Sequence, residues 1–527
     1  MNPIPEIEPL FAAAEVFPDP DSVPATACPS AAGQPAPEPP RRFRHIERNQ
    51  PSWMVVDLER MLAESHPARA IWDFVGGLDR GPFEEPVKVR VGGAGRDSWS
   101  PRLLISMWIY AYSRGISSAR EIERQCGWEP GFEWLTGLRK VNHHSLSDFR
   151  VGDAEAMREL FRQVLAVLML KELVTLERVT VDGTKVRAHV NKKTFSKPAR
   201  LRAYQEEVAR HMAAIEADEA RQESSARQRS ARERAARERA KRVREALAEA
   251  AELAANKKWE KEKEPSVSRT DPDAHFMKTG DHGLAPAYNV QLVTDVANGL
   301  IVDVAVSTQP SDAAHLAPAL ERVEAGTGRL PGEIVADGDY TNRQSIIAAA
   351  DKGVAFIGSW GEMAGNKPGK GIDPRFAPSE FEWDEAANEV ICPMAKRLVQ
   401  IRVSETEGNG AIYVYAAARE DCQACDMRPL CTPNNKMEKH GRAVGIRLED
   451  DRVDAFLARM ESEEAKAIYK QRAPIAEFPN AWIKTKLNWA RVRSRGLKRV
   501  AAEAIWPALT YNLQRYFAIT RAQAQTA

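Results

Sequence analysis

The fold of this chain is decided by two consecutive stretches, Tyr288-Asn289-Val290-Gln291-Leu292-Val293-Thr294-Asp295 and Leu300-Ile301-Val302-Asp303-Val304-Ala305-Val306. Both are rich in β-branched residues and are separated by a turn containing Ala-Asn-Gly, which predicts a β-hairpin. The pattern that follows predicts a helix over 313–325, a strand over 333–337, a helix over 344–352 and a strand over 354–357. Strands that alternate with helices in this way predict an α/β sheet.

Two aspartates are placed where strand patterns stop. Residues 179–186 alternate β-branched residues and are expected to turn at Asp182-Gly183, and the apolar run 333–336 leads directly into Asp337. Because sites in α/β sheets are usually built at strand ends, both aspartates are candidate site residues. The alternative for each carboxylate alone is an ordinary surface or capping acid.

A third candidate acid, Glu477, precedes a segment of unusual local charge. From Lys484 to Arg499 the chain has seven Lys or Arg and no Asp or Glu. We expect Glu477 to head a cationic helix, whose N-terminus tolerates the carboxylate while the following cations neutralise phosphates. The alternative is an ordinary solvated helix face. A further helix is expected over 494–517, with a kink at Pro507.

Composition limits the class of protein. At 527 residues the chain is too long for one compact core, and with 75 Lys and Arg against 74 Asp and Glu only local charge can argue for nucleic acid. Six cysteines in so long a chain exclude a disulfide scaffold. The apolar runs are too short for a membrane span and the N-terminus lacks a signal pattern, so we expect a soluble cytoplasmic protein without a membrane partner.

Composition also divides the chain into parts. Residues 1–45 hold eleven of the 33 prolines and predict a disordered leader. Residues 46–172 have helical periodicity and predict an all-α N-terminal domain. Residues 173–520 carry the α/β sheet, with a helical basic insertion at 201–262 and a loop-rich, cysteine-containing insertion at 366–465.

Two segments have charge patterns that fit contact with phosphates. Residues 221–244 hold ten Lys or Arg against three Glu, without Gly or Pro, which predicts a basic helical arm or hairpin. The alternative is a solvated helix or coiled coil without a partner. Residues 134–150 form a polar, basic connection that either faces DNA or is a buried helix–turn–helix whose histidines cap and pack.

The cysteines of the C-terminal third are spaced like metal ligands. Cys422-Gln423-Ala424-Cys425 is followed by Cys431 and preceded by Cys392-Pro393. Four thiolates at such spacing can converge on one ion, so a structural zinc site is one interpretation. Reduced, partly buried cysteines without a metal are the other.

The three acids suit one kind of chemistry. Phosphoryl transfer on nucleic acid commonly uses two Mg²⁺ ions about 3.5–4 Å apart. Carboxylates are the hard ligands that Mg²⁺ prefers, and the substrate phosphate and waters complete the coordination. Asp182 and Asp337 on adjacent strands, with Glu477 from a helix, would supply such ligands.

Several short motifs occur together in this chain: residues 181–188 (Val-Asp-Gly-Thr-Lys-Val-Arg-Ala), 271–274 with Met277-Lys278, 288–291 (Tyr-Asn-Val-Gln), 336–340 (Ala-Asp-Gly-Asp-Tyr), the cysteine segment, and 477–479 with 495–497. In this combination the sequence resembles DDE transposases of bacterial insertion sequences over about residues 52–520. The resemblance implies a ribonuclease-H-like mixed sheet with a helical insertion, preceded by an all-α N-terminal domain that binds DNA.

Carried over to this sequence, the resemblance implies that Asp182, Asp337 and Glu477 are the catalytic, Mg²⁺-binding acids. Tyr469, Arg472 and Lys484 match the family signature near the third acid and would bind transposon-end phosphates. Four residues separate Arg472 from Glu477, where the common form has three. Asp339 stands where the family often has Gly and is a rival ligand to Asp337.

The function expected from the resemblance is Mg²⁺-dependent cleavage of phosphodiesters at transposon ends, followed by strand transfer into target DNA. The basic residues Arg491, Arg493 and Arg495 are expected to contact DNA. The expected partner is double-stranded DNA, bound by a homodimer in the synaptic complex in the bacterial cytoplasm, at the nucleoid. A nuclease without strand transfer and a catalytically silent DNA-binding relic are the alternatives.

Overall fold

The computed structural model describes residues 55–90, 97–221, 226–255, 264–280, 283–360, 371–406, 410–433, 439–447 and 449–526. The expected leader, residues 1–45, lies outside the described residues. The N-terminal part is helical, as predicted, and comprises α1 (Pro67–Gly76), α2 (Gly81–Glu84), α3 (Pro101–Ser113), α4 (Ala119–Gln125), α5 (Pro130–Thr136), α6 (His143–Val151) and α7 (Ala154–Leu170). The side chains of Asn142 and Asp153 cap α6 and α7 by accepting hydrogen bonds from the first backbone N–H groups.

Residues 134–150 comprise the end of α5, an exposed turn at 137–140 and α6, so the helix–turn–helix is present but its turn is not buried. The chain leaves α5 through Gly137 and Leu138, both with φ of 61°. The Nδ1 atom of His143 lies 2.7 Å from Glu123, and the indole of Trp108 in α3 donates to the Leu146 carbonyl at 3.1 Å. The histidine therefore packs against the N-terminal helices.

The next part of the chain forms the main sheet and a helical insertion. Its elements are β1 (Arg178–Arg187), β2 (Phe195–Ser196), α8 (Pro198–Arg221), α9 (Ala226–Ala255), β3 (Val267–Ser268), β4 (His275–Lys278), β5 (Leu284–Asp295), β6 (Leu300–Ser307), α10 (Leu316–Thr327), β7 (Glu333–Ala336), α11 (Arg343–Asp351) and β8 (Ala355–Gly358). The predicted hairpin is the antiparallel pair β5–β6, and the predicted helices and strands after it are all present.

The main sheet has the strand order β4-β5-β1-β7-β8, and β6 also pairs with β5. β5 runs antiparallel to β1, β4 and β6, whereas β1, β7 and β8 are parallel neighbours. A three-stranded antiparallel meander followed by two strands parallel to its first strand is a ribonuclease-H-like mixed sheet. The expected fold class is therefore confirmed.

The basic insertion between β2 and β3 is a helical hairpin. Helices α8 and α9 pack against each other, with Leu201, Ala246, Ala250 and Val267 in a small core near its base. Phe195 pairs with Ser268 and Ser196 with Val267, so the two ends of the insertion meet in a short antiparallel ladder. The hairpin interpretation of 201–262 holds for its described residues.

The cysteine-containing insertion has more regular structure than its Gly and Pro content predicts. Its elements are β9 (Glu382–Asp384), β10 (Glu389–Ile391), β11 (Arg397–Thr406), β12 (Gly410–Ala417), α12 (Arg419–Gln423), α13 (Arg428–Cys431) and β13 (Ala443–Arg447). The strands form an antiparallel sheet in the order β13-β12-β11-β10-β9. Alternate apolar residues of this sheet make a separate small core.

Three helices complete the chain: α14 (Asp451–Glu461), α15 (Glu463–Thr485) and α16 (Leu497–Thr526). α16 contains Pro507 and packs against α3, α7 and β6, so it joins the N-terminal helices to the main sheet. The indole of Trp506 in α16 donates to the Arg150 carbonyl of α6 at 3.0 Å. Among the described residues, none of the helices has the length and apolar character needed to cross a bilayer.

The expectation that Glu477 heads a cationic helix is wrong. Glu477 lies in the second half of α15, which begins at Glu463 after the capping residue Ser462. Most of the basic run is not helical, and we call residues 486–496 the basic loop. The loop is ordered by the buried carboxylate of Glu503, which accepts hydrogen bonds from the backbone N–H groups of Arg493 and Ser494 and from the indole of Trp489.

Asp271 anchors the end of the basic loop and gives stability a pH dependence. It is 1% exposed, and its Oδ1 accepts hydrogen bonds from the Tyr288 hydroxyl and the Gly496 N–H, whereas its buried Oδ2 has no partner among the described residues. Burial, only partly opposed by these hydrogen bonds, raises the pKa of Asp271 from 3.8 to about 6. The folded state therefore binds this proton more tightly than the unfolded state.

The contribution of Asp271 to stability is full below about pH 4 and is lost as pH rises through about 6. Asp271→Asn keeps an acceptor for Tyr288 and Gly496 but cannot ionise. We expect the free energy of unfolding of the variant, relative to wild type, to increase by about 2 kcal/mol from pH 4 to pH 7. Urea unfolding followed by circular dichroism at both pH values measures this difference, and a pH-independent difference would contradict the assignment.

Candidate functional site

Asp182 and Asp337 lie side by side on adjacent parallel strands. Thr180 of β1 pairs with Val335 of β7, so the residues two positions further along each strand, Asp182 and Asp337, stand at the same level on the same face. Asp337 follows β7 directly, as predicted. Asp182 does not end its strand, because β1 continues through Arg187 and stays paired with β5. The expected turn at Asp182-Gly183 is therefore wrong.

Gly183 is extended sheet rather than a turn residue, and it is glycine for a steric reason. A Cβ atom at this position would stand 2.5 Å from Asp312 Oδ1 and 2.7 Å from Gln291 Nε2. A buried polar cluster occupies that space. The absence of a side chain at position 183 lets this cluster approach the backbone of β1 next to Asp182.

Helix α15 covers the face of the sheet that carries the two aspartates. Near its start, Ala465 and Tyr469 pack with Val335 and Ile357 of the parallel strands. Further along, the buried Asn480 donates from Nδ2 to Asp182 Oδ2 at 2.7 Å. Its Oδ1 atom is buried and has no partner among the described residues. Asn480 was not among the predicted site residues, although it directly follows the motif 477–479.

Two cations of α15 point toward the aspartate pair. Arg472 Nη1 lies 4.0 Å from Asp182 Oδ1, and both groups are largely buried. Burial lowers the pKa of Lys484, and Lys185 adds to this effect while Asp182 opposes it. Of the residues expected to bind DNA phosphates, Tyr469, Arg472 and Lys484 thus lie on the inner side of α15, beside the acids.

Burial dominates the electrostatics of the two aspartates. It raises the pKa of Asp182 to about 6, with Arg472 opposing this shift and Asp337 reinforcing it. Burial also raises the pKa of Asp337, which Arg472 again opposes and Asp339 reinforces. Two neighbouring buried carboxylates disfavour each other's charge, so a bound cation would stabilise the ionised pair.

Glu477 is not grouped with Asp182 and Asp337, as it would be if all three acids held the same metal ions. Its side chain is exposed, and at 100° per residue it lies about 60° around α15 from Asn480. Among the described residues, no three His, Cys, Asp or Glu side chains are grouped so that they could hold a metal ion. The rival ligand Asp339 is also exposed, and its backbone N–H donates to Asp337 Oδ1 at 3.0 Å.

A polar cluster that sequence analysis did not predict lies beneath Asp182. Asp312 accepts hydrogen bonds from Asn289, Gln291 and Lys185, and the buried Tyr340 hydroxyl donates to Gln291. Asn289 and Gln291 alternate with apolar residues in the central strand β5, and both are buried. Two buried amides in a central strand are the sequence signal that could have revealed this cluster.

The basic loop presents three arginines on one face. Arg491, Arg493 and Arg495 are exposed, whereas Val492 and Ser494 between them are buried, so this part of the loop has the alternation of a strand. Arg187 and Arg491 form a parallel β-bridge that fixes the loop beside β1. We call these three residues the arginine ridge.

The positive charge of the arginine ridge affects the pKa of His189. Burial lowers the pKa of His189, and Arg495, Arg493 and Arg491 lower it further. The Arg495 Nε atom also donates to the His189 carbonyl at 3.0 Å. The ridge therefore lies next to the segment that follows β1, where Lys192 and Lys193 are exposed as well.

The four C-terminal cysteines surround one cavity. Cys392, Cys422, Cys425 and Cys431 all line a space of about 30 Å³, and none of them forms a disulfide. Burial raises the pKa of the Cys431 thiol, and the neighbouring Cys422, Cys392 and Cys425 raise it further against the effect of Arg442. The buried Cys126 of the N-terminal helices lies outside this group.

Comparisons with known families find two models that match parts of this chain. Residues 391–517 match the family model described as transposase DDE domain, and residues 56–151 match the model described as transposase domain (DUF772). A comparison with curated proteins finds no match. The two family matches confirm the predicted relationship to DDE transposases of insertion sequences. They indicate an enzyme of phosphoryl transfer whose partner is DNA.

The regions matched by the two family models include only part of the candidate site. The DDE match contains α15, the basic loop and the four cysteines, and it leaves out the strands that carry Asp182 and Asp337. The other match covers the helices from α1 to α6. The assignment of the two aspartates therefore depends on the sheet register and on the sequence motifs around them.

Asn480 is expected to orient Asp182. In Asn480→Leu the Asp182 Oδ2 atom loses its donor while the side chain keeps its branched shape, so for the DNA-end cleavage proposed below we expect a fall of about 10- to 100-fold, as is typical when a hydrogen-bond partner of a metal ligand is removed. The measurement is the cleavage rate on the element's own terminal repeats. Gln471→Ala, an exposed change in the same helix, is the matched control and should retain wild-type cleavage. Full cleavage by Asn480→Leu would contradict this role.

Proposed function

We propose that this protein is the transposase of an insertion sequence that cleaves phosphodiester bonds at the transposon ends and joins the freed 3′-hydroxyl groups to target DNA. The observation that carries the proposal is the position of Asp182 and Asp337 at the same level of the parallel strands β1 and β7, beneath a helix of the DDE-matched region. This pair is the acidic centre around which such a reaction would be organised.

The donor set fits a hard divalent cation such as Mg²⁺. Two carboxylates on one face and the Asn480 Oδ1 atom, which has no partner in the described part of the chain, offer oxygen ligands, which Mg²⁺ prefers. A cation would also relieve the mutual repulsion of the two acids. We assign Asp182 and Asp337 as the residues that hold the metal, with Glu477 as the proposed third ligand. Two bound metal ions would lower the pKa of the attacking water and stabilise charge on the leaving oxygen.

The residues around the acids have separate tasks in this proposal. Asn480 holds the Asp182 carboxylate in one orientation through its hydrogen bond. Arg472 partly neutralises the pair and would limit its repulsion of a DNA phosphate. Lys484, half-buried on the same side of α15, can approach a phosphate oxygen next to the scissile bond.

We propose that DNA lies along the arginine ridge and extends toward the basic hairpin and the N-terminal helices. At a rise of about 3.3 Å per residue, alternate side chains of an extended segment are spaced by about 6.6 Å, so the three guanidinium groups can contact successive phosphates. A homodimer is proposed because two transposon ends must be joined in one complex. Its proposed location is the bacterial cytoplasm, at the nucleoid.

Asp182→Asn and Asp337→Asn should abolish both cleavage and strand transfer, because each removes a proposed metal-binding charge. The loss should exceed the roughly 10- to 100-fold effect typical of outer-shell changes. DNA binding at equal protein concentration, measured by fluorescence anisotropy, should remain. The assay uses the element's terminal repeats with Mg²⁺, and persistent cleavage by either variant would remove that residue from the mechanism.

Glu477→Gln tests the least supported member of the triad in the same assay. Loss of cleavage with retained DNA binding would support Glu477 as the third ligand, whereas full cleavage would exclude it. A substrate with a pre-cut 3′ end separates the alternatives: a nuclease cleaves intact ends but does not join the pre-cut end. A silent relic neither cleaves nor joins, and Asp182→Asn would then leave its measurable behaviour unchanged.

The arginine ridge should appear in the salt dependence of DNA binding. For the triple variant Arg491→Ala, Arg493→Ala and Arg495→Ala, we expect the slope of log K against log salt to fall in magnitude by up to about 2.7, because each phosphate contact contributes about 0.9. The matched control replaces three exposed arginines of the cysteine-containing insertion, Arg375, Arg397 and Arg402, by alanine. Equal slopes for the ridge and control variants would contradict the proposed DNA path.

A further inference from the structure

The four cysteines of the insertion come from three separate segments of the chain. Cys392 follows β10, Cys422 and Cys425 lie in and just after α12, and Cys431 ends α13. Although Cys392 is far from the others in sequence, the antiparallel sheet brings the turn that contains it to the cavity shared by the other three. We propose that these four cysteines hold one structural zinc ion.

The backbone around two of the sulfurs is already arranged as it is around thiolate ligands. In the turn after β10, the Lys396 N–H donates to Cys392 Sγ at 3.3 Å, and Ala395 adopts a φ of 55° to close this turn. The Arg442 N–H donates to Cys422 Sγ, also at 3.3 Å. Hydrogen bonds from outer groups to the ligand atoms orient those ligands at metal sites in proteins.

Gly441 makes the hydrogen bond from the Arg442 N–H to Cys422 Sγ sterically possible. A Cβ atom at position 441 would stand 2.5 Å from Cys422 Sγ and 2.9 Å from the Ala418 carbonyl oxygen. The loop before β13 therefore needs glycine to approach the sulfur so closely. This close approach brings the next backbone N–H group, that of Arg442, to Cys422.

The surroundings of the cavity favour zinc over a hard cation. Its walls are formed partly by Phe376, Phe381 and Leu398, and the four sulfurs are its candidate ligands. Soft thiolates select zinc from the common divalent ions, whereas Mg²⁺ prefers oxygen. The site is thus distinct in chemistry from the pair of aspartates, and the zinc proposal does not depend on the proposed transposition reaction.

Binding requires movement of the sulfurs, and it releases protons. No three metal-binding side chains among the described residues are grouped around one point, so the cysteines must rotate inward to reach the roughly 2.3 Å length of a zinc–sulfur bond. Four S–H bonds break, their protons pass to solvent, and four Zn–S bonds form with a net charge of −2. Arg428 and Arg442 line the same cavity and offset this charge, whereas Lys396 is paired there with Asp421.

The small core of the cysteine-containing insertion is a reason for it to bind a structural zinc ion. Its own core consists of a few residues, including Phe381, Val390 and Tyr415, while Val399, Ile401 and Val403 of β11 are exposed. A unit with so small a core gains stability from a metal that cross-links its loops. Zinc would connect the turn after β10 to α12 and α13, which pack outside the sheet.

The test is the zinc content of the full-length protein. After purification and dialysis against metal-free buffer, inductively coupled plasma mass spectrometry should find about one zinc per chain in wild type and in the control Cys28→Ser, which removes a thiol that the proposal does not use. The double variant Cys422→Ser with Cys425→Ser should hold less than about a tenth of that amount. Asp182→Asn should keep its zinc, since the two sites are separate.

Cobalt substitution makes the test independent of whether the double variant folds. Wild-type protein stripped of zinc and loaded with Co²⁺ should show thiolate-to-cobalt charge-transfer bands and the intense d–d bands of a tetrahedral sulfur site. Wild type with neither zinc nor a cobalt–thiolate spectrum would overturn the proposal. So would the finding of a disulfide among the four cysteines, or undiminished zinc in the double variant.

Discussion

The parallel pairing of β1 with β7 is the constraint on which the rest of the site depends. It joins segments 155 residues apart, and the ion pair of Arg178 with Glu333 closes its outer end. Because both strands run in the same direction, one register shift would move Asp182 away from Asp337 and turn one of them to the other face. Helix α15 also depends on this register. It contacts Asp182 through Asn480 and packs against Val335, so β1 and β7 must be aligned for one helix to make both contacts.

The basic loop depends on buried acids in a similar way. Glu503 in α16 and Asp271 before β4 accept the backbone N–H groups of the loop, so its polar atoms are satisfied from within while its arginines face outward. The loop carries four cations, Lys486, Arg491, Arg493 and Arg495, which repel one another. Fixing the backbone by carboxylates spreads the side chains at regular spacing, which a free loop would not do.

Much of the fold could be predicted from periodicity, because the hairpin β5–β6 and the helix–strand alternation after it are local patterns. The acid Asp337 was located correctly from its strand. Asp182 was not, since the Asp-Gly pair is a common turn signal and the continued pairing of β1 with β5 is a tertiary effect. The position of Glu477 was wrong for a related reason: a run of cations resembles a helix face, whereas Ser462 and the apolar residues near Ala465 fix the start of α15 much earlier. The polar cluster around Asp312 could be predicted only in part. Asn289 and Gln291 in a central strand are a sequence signal for it, but Lys185, Asp312 and Tyr340 come from other segments and join them only in the folded chain.

The basic hairpin has a consequence for how the chain folds. It is inserted between β1 and its antiparallel neighbour β5, and it separates them by a long stretch of sequence. Its two helices make contacts with each other, and the short ladder of β2 with β3 brings its ends together. Once this local unit has formed, the chain that must close to pair β1 with β5 is far shorter than the sequence suggests, so the insertion adds little loop-closure entropy. The hairpin can therefore differ in length between related proteins at little kinetic cost to the sheet that holds the two aspartates.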